Sequence, residues 1–375
     1  MGTEIFDVVV IGAGPAGASA AAFIAQREWR VALVDKAQFP RDTVSAAWLN
    51  AKAEPLLGEL GVPTKSLLDC AFRDVTFYSS DLVKKATPTI SAAPGYVVDR
   101  SAFCNAIVQA AVTAGVTILG GRDVSHIQAK ENGVLVRTGG GETVEGRLLI
   151  FAAGRSKTLL EQIGLPLDSA HVSLWTAQVD ALNTAKGPKS PVVAVVLGLD
   201  KKGSFGLCCA TSARISVAVN VQKDSGLVVP TLVTLCKAAF ERGVIPMDLS
   251  ALAARAEVIP SPAAAALDMD THVRKHALVI GDAGGFVAAT SNEGIYPAMW
   301  SAKIAAGVAH TALEAAAKGT PSQDQLMAFD TAWRIQMADY LRSPHTDIQF
   351  LLPLIFSNQQ MADRMAAAFF AGENI

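Results

Sequence analysis

Phe6-Asp7-Val8-Val9-Val10-Ile11 runs straight into Gly12-Ala13-Gly14-Pro15-Ala16-Gly17, and an Ala-rich stretch of helical composition, residues 18–26, follows. The next apolar run, Arg30-Val31-Ala32-Leu33-Val34, closes on Asp35 with Lys36 behind it. Strand, glycine loop, helix, strand and acid in this order form a βαβ dinucleotide fingerprint. Gly12 serves the tight turn, Gly14 the close approach of a pyrophosphate, Gly17 the helix–strand packing and Asp35 a ribose hydroxyl. Pro15 and Ala16 open a helix whose first free N–H groups face the phosphates.

A second loop of similar character lies far downstream. Ala277-Leu278-Val279-Ile280 delivers Gly281-Asp282-Ala283-Gly284-Gly285-Phe286, and Ser291-Asn292-Glu293-Gly294-Ile295-Tyr296-Pro297-Ala298 then opens a long Ala-rich segment. A third glycine turn ends the run Arg147-Leu148-Leu149-Ile150-Phe151 at Ala152-Ala153-Gly154-Arg155-Ser156. Gly139-Gly140-Gly141 sits between two strand-like runs without a following helix, and reads as a hairpin turn.

With 375 residues and 51% hydrophobic composition the chain has material for two interleaved domains and a full core. Its net charge of −2 and lack of charged blocks exclude a nucleic-acid partner. The five cysteines, Cys70, Cys104, Cys208, Cys209 and Cys236, lack zinc-ligand spacing, so no metal site is expected and the thiols read as reduced. Met1 leads directly into the first strand and no apolar stretch has spanning length, which predicts a cytoplasmic protein without a transmembrane segment. The mean hydropathy of +0.33 leaves open a large core, a greasy substrate or a peripheral membrane contact.

Residues 73–79 and 95–99 alternate with period 2 and are predicted as antiparallel strands; a helix over 101–114 is capped by Ser101 and ends at Gly115. Residues 165–260 are mostly strand-like, with a helix over 231–242, and the chain is helical beyond residue 301, including an amphipathic piece over 359–370. The predicted division is 1–70, 99–165 and 265–330 for a discontinuous nucleotide-binding domain, 71–98 and 166–264 for a substrate domain, and 331–375 for a C-terminal helical segment.

Gly12 to Gly17 with Asp35, Ile150 to Gly154, and Gly281-Asp282 together resemble the three FAD-contacting segments of the flavoprotein monooxygenases. Phe39-Pro40-Arg41-Asp42, Val98-Asp99-Arg100-Ser101-Ala102-Phe103 and Glu293-Gly294-Ile295 bring the chain nearest to the geranylgeranyl reductase and flavin-dependent halogenase branch. The resemblance implies an α/β fold with a glutathione-reductase-like (Rossmann-type) FAD-binding domain, an antiparallel-sheet substrate domain and a helical C-terminus. It implies that Asp35 holds the adenosine ribose, the loop amides the pyrophosphate and Asp282 a ribitol hydroxyl. Arg41 and Arg100 would add charge near the phosphates or flavin, and Gly294 and Ile295 would offer backbone donors to the flavin's N1–C2 edge.

Departures are informative as well. Val44-Ser45-Ala46 stands where the reductases carry a Cys-Gly pair, and Gly203-Ser204-Phe205-Gly206-Leu207-Cys208-Cys209 where halogenases carry a Trp-x-Trp motif; Asn292 replaces a customary glycine. No second βαβ fingerprint serves a nicotinamide, so NAD(P)H would act as a transient external reductant. The resemblance therefore implies a FAD-dependent oxidoreductase, foremost a monooxygenase that forms a C4a-hydroperoxyflavin and hydroxylates an aromatic or apolar group, on a small molecule, a peptide or carrier-bound substrate, or a partner protein. The alternatives are a geranylgeranyl-reductase-type isoprenoid double-bond reductase and a weakly FAD-binding maturation or binding partner without independent catalysis. No catalytic side chain is assigned: His126, His171, His272, His276, His310 and His345 stand in no constellation, and Cys208-Cys209 reads as a buried pair. Trp48, Trp175 and Trp300 are candidate cavity residues, with Trp300 placed near the flavin and Trp175 in the core.

Overall fold

The computed structural model describes residues 5–41, 47–165, 174–199, 204–221, 225–342, 346 and 348–373. Asp42, Val44-Ser45-Ala46, His171, Gly203 and His345 lie outside them.

The opening run forms strand Ile5–Ile11, helix Pro15–Ala25 and strand Val31–Val34, the two strands parallel. Strands Ala277–Val279, Thr143–Phe151, Ile5–Ile11, Val31–Val34 and Thr117–Leu119 lie side by side in that order, all parallel. Their continuous apolar sequence follows from burial on both faces. Val8, Val10 and Leu33 face the helices Pro15–Ala25, Arg100–Thr113 and Ile295–Ala315, while Val9, Ile11 and Val34 pack with the hairpin strands Val124–Lys130 and Gly133–Thr138. Helix Pro15–Ala25 is buried on almost every side, so small alanines are what the space between its neighbours admits.

A second sheet has seven strands, in the order Val258–Pro260, Trp175–Leu182, Arg214–Val221, Phe205–Ala210, Val192–Leu197, Val75–Tyr78 and Lys85–Ala86. One face packs on helix Ser225–Glu241 through Val217, Val219, Leu232 and Leu235; the other, through Phe77 and Phe205, meets Phe369 and Phe370. Cys208 and Cys209 are consecutive in one strand and therefore enter opposite cores, both as free thiols that burial pushes up.

Three expectations need correction. Val75–Tyr78 runs parallel to Val192–Leu197 and antiparallel only to Lys85–Ala86. Period-2 alternation reports which side chains are buried; it carries no information about a partner's direction. The helix expected from Ser101 begins at Arg100, capped by Asp99, whose carboxylate accepts from the Ala102 N–H at 3.0 Å. The helix expected over 231–242 starts earlier, at Ser225, and carries Pro230 inside it.

The C-terminal part comprises helices Ile295–Ala315, Ala328–Leu341, Ile348–Ile355 and Gln359–Ala366, ending in a π-type turn, Ala367–Ala371. That turn inserts Phe369 and Phe370 beneath Trp48, Phe72 and Phe205. Among the described residues no helix is long and apolar enough to cross a membrane, and no group of three or more His, Cys, Asp or Glu is disposed to hold a metal.

Candidate functional site

One cavity of about 430 Å³ runs between the two sheets. Gly12, Gly14, Pro15, Ala16, Asp35, Lys36, Arg41, Arg100, Ala153, Gly154, Asp282, Gly294 and Ile295 all line it. Gly17 and Gly281 do not. They act beneath its surface.

Gly12 takes φ +95°, and a Cβ there would stand 2.3 Å from the Ala152 carbonyl oxygen; one on Gly17 would stand 1.8 Å from the Gly12 carbonyl oxygen. Loop, helix and the Ala152 turn thus touch backbone to backbone, which only glycine permits. A Cβ on Gly14 would meet nothing within 4 Å, because this residue looks into the cavity. Gly14 caps the helix without a side-chain partner and Pro15 follows, so the helix presents its first amides and positive end to the cavity. Gly281, at φ +60°, brings its own loop against Ala16.

Asp35 is 8% exposed. Its Oδ2 accepts from the Ala13 N–H at 2.6 Å, and its Oδ1 from the Ala37 N–H at 2.8 Å and from Arg41 Nη1 at 3.3 Å. Arg41, stacked on Phe39 with 5.3 Å from its Cζ to the ring centroid, therefore belongs to the Asp35 end of the cavity. It is an ion-pair partner there.

At the other loop, charge is buried. Glu293, 4% exposed, accepts through Oε1 from the Ile295 and Tyr296 N–H groups at 2.9 and 2.8 Å, and through Oε2 from the Tyr340 hydroxyl at 3.0 Å. The Ile295 amide is thus engaged by the protein's own carboxylate, where sequence had offered it to a ligand. Burial pushes Glu293 up to about 7 against the pull of these bonds and of Arg100, and Asp282 up to about 6 against Arg155 and Arg100. Arg100, 7% exposed, leaves Nε and Nη1 without partners among the described residues, and burial lowers its pKa; Arg155 Nη1 is likewise unpartnered. Two guanidiniums with unpartnered nitrogens and two carboxyls pushed up by burial, together beside a cavity, are the chemistry of a ligand site. From Glu293 the network continues through Tyr340 to Asn50 Nδ2, at 2.9 Å from the hydroxyl and 2.7 Å from the Phe370 carbonyl oxygen.

The far end is walled by the second sheet. Phe205, Leu207 and Ala218 of that sheet, with Trp48 from the separate strand Trp48–Asn50, give it an apolar surface; Thr176 and Asn220 of the sheet, with Ser291 and Asn292 from the loop before helix Ile295–Ala315, give it a polar corner. Asn292 holds φ +53°, a conformation asparagine tolerates better than most residues. Sequence reasoning did not single out Thr176, Ala218 or Asn220, and it met Phe205, Leu207 and Ser291 only inside quoted segments, without a role for their side chains. Strand pairing such as Thr176↔Asn220 and Phe205↔Asn220 assembles them from distant runs, and no local spacing announces it. Arg155, directly after Gly154, was within reach of motif reading.

Trp300 does not reach the cavity. It sits five residues beyond Ile295, which rotates it to the helix flank, where it packs on Tyr296 at 5.2 Å and Tyr340 at 6.5 Å between ring centroids. Trp175 packs against the second sheet's core. His126 is exposed, while His272, His276 and His310 bond to Gly284, Pro321, Glu131 or Trp29 away from the cavity.

Residues 5–229 match the model of the FAD binding domain family. The chain belongs to that family. It is therefore a FAD-dependent oxidoreductase, with FAD its cofactor. Digeranylgeranylglycerophospholipid reductase of Methanocaldococcus jannaschii is 24% identical over 347 residues, 91% of this chain and 85% of that protein. An uncharacterised protein of Methanosarcina barkeri is 32% identical over 127 residues, which span 32% of this chain and only 30% of that one. A geranylgeranyl bacteriochlorophyll reductase-like protein of Thermoplasma acidophilum superposes with a TM-score of 0.77 at 14% identity, covering 98% of this chain and 96% of that one. The flavin-dependent brominase Bmp2 gives a TM-score of 0.71 at 19% identity, covering 98% and 94%. At these identities the solved structures establish the fold: a Rossmann-type FAD-binding domain, an antiparallel sheet and a helical C-terminus.

Proposed function

We propose that the chain is a flavin monooxygenase that hydroxylates an aromatic or otherwise apolar group, with NAD(P)H as transient external reductant. The observation that carries this reading is one cavity joining the glycine-loop amides and Asp35 at one end to an apolar wall of Trp48, Phe205 and Leu207 at the other. The residues fit FAD. Gly14 leaves open space where a phosphate would lie, the helix beginning at Pro15 offers uncapped amides, and Arg100 and Arg155 hold unpartnered nitrogens beside Asp282. Asp35 would hold the adenosine ribose, with Lys36 and Arg41 beside it; Ala153 and Gly154 would flank the cofactor, Asp282 would take a ribitol hydroxyl and Gly294 would meet the flavin. Bound FAD would supply the redox chemistry and the activation of oxygen. The chain's own part would be to orient the cofactor, exclude water from the apolar end and seat the substrate there.

The test is to load the protein with FAD, supply NAD(P)H and labelled O₂, and ask whether apolar aromatic compounds stimulate oxygen uptake and acquire label. Substrate-independent oxygen uptake with no label in any product would count against it. A second reading, isoprenoid double-bond reduction, is favoured by the match to the M. jannaschii reductase over most of both chains. Anaerobic turnover of a prenyl lipid would decide for it.

A further inference from the structure

Asn220 sits in strand Arg214–Val221 at the apolar end of the cavity, 6% exposed. Its Oδ1 is crowded by donors: the Thr176 hydroxyl at 2.6 Å, the Ser261 hydroxyl at 3.0 Å and Asn292 Nδ2 at 3.4 Å. In this arrangement Oδ1 faces Asn292 Nδ2, and a flip of Asn220 alone would set NH₂ against NH₂, donor to donor. The oxygen is saturated and faces the protein. The Nδ2 group takes part in none of these three contacts, and it belongs to a residue that lines the cavity; beside it on the same corner the buried Ser291 hydroxyl has no partner among the described residues.

Around it the surface is apolar: Trp48, Phe205, Leu207, Ala218 and Ile259. When an apolar ligand covers this floor and displaces water, a donor here stays satisfied only if the ligand brings an acceptor, since an unmet buried polar group is costly; the Ser291 hydroxyl is a second donor at the same corner. The Thr176 and Ser261 hydroxyls also hydrogen-bond to each other, and because each has one proton, one of them donates to its neighbour and the other to Asn220 Oδ1.

We propose that Asn220 is the specificity-determining donor of this site, selecting substrates whose apolar body carries one acceptor oxygen, such as a carbonyl, over plain hydrocarbons of the same shape. This rests on the sheet-walled end being the substrate end. It names what that end recognises and separates it from a site for bare hydrocarbon chains. Asn220 acts on binding and orientation, with Thr176, Ser261 and Asn292 as its positioning residues.

The experiment uses FAD-loaded protein, oxidised and without reductant, titrated with 2-acetonaphthone and with 2-ethylnaphthalene while protein fluorescence and flavin absorbance are followed. The readout is the ratio of the two affinities, which cancels the shared apolar contribution. Asn220→Asp keeps the size and the bonds that Oδ1 accepts but replaces the donor with an acceptor; Asn220→Ala deletes both. In each variant the ketone-to-hydrocarbon ratio should fall about tenfold from wild type, with FAD content unchanged. An unchanged ratio in folded Asn220→Asp overturns the proposal even if Asn220→Ala fails to fold. Loss of FAD from Asn220→Asp also overturns it, by assigning Asn220 to the cofactor, and leaves the monooxygenase reading intact. Failure of wild type to bind either probe overturns the placement of the substrate end, and the proposal with it.

Discussion

The two glycine-bearing loops at the cavity solve opposite problems. Around Gly12 to Gly17 every choice is forced by backbone proximity: two glycines admit no Cβ, and Asp35 is satisfied by Ala13, Ala37 and Arg41 before any ligand arrives. Around Asp282 and Ser291 to Ile295 the backbone is confined as well, at Gly281 and Gly285, but there the side chains also carry tension. Buried carboxyls are pushed toward neutrality, guanidinium nitrogens lack partners, and Asn292 sits at positive φ. The first loop is scaffold by necessity; the second is tuned electrostatically. Stability measurements should separate them.

The harshest way to break the contrast is Gly17→Ala. Its Cβ would have to displace the Gly12 carbonyl oxygen, so a loss on the order of 4 kcal/mol and a colourless purified protein are expected, read by denaturant unfolding and flavin absorbance. A tolerated alanine would mean that helix and loop can separate.

Next in size is the pH dependence set by Glu293. Its folded value of about 7 lies above its usual 4.5, so the native state takes up the proton first, and unfolding free energy should fall as pH rises from about 4.5 through 7, then level off. Glu293→Gln in the FAD-free protein should flatten that slope, removing a difference on the order of 3 kcal/mol between pH 5 and pH 8. An equally steep slope in the variant would place the cost elsewhere.

Asp35→Ala comes third. It strands the Ala13 N–H and releases Arg41, with an expected cost of about 1–2 kcal/mol and weaker FAD retention, measured by thermal shift with and without excess FAD. Asn292→Gly should be the mildest. Relief of its φ is offset by a more flexible unfolded chain, leaving a change below about 0.5 kcal/mol in denaturant melts.

The same contrast explains what could be read from the sequence. The frame of Ile5–Ile11, Pro15–Ala25 and Val31–Val34 was legible because turn, packing and acid fall within one short segment, where steric rules act residue by residue. Asp282 and Glu293 were visible as acids beside glycines. Glu293's capture of the Ile295 and Tyr296 amides was not, since it depends on where a carboxylate turns after burial. The Thr176, Phe205 and Asn220 surface was illegible for another reason. It exists only in the register between strands, as does the parallel course of Val75–Tyr78. Trp300 misled because closeness to Glu293 along the chain says nothing about helix phase.

Phe369 touches Trp48, Phe77, Phe205 and Phe370 but does not line the cavity, while Trp48 and Phe205 do. The width of the apolar end is thus set from behind, by a side chain that no substrate meets. Changes in the turn that carries it can resize the chamber while every cofactor-facing residue stays as it is, so that relatives with the same redox machinery can diverge in the bulk they accept by editing a segment remote from the glycine loops.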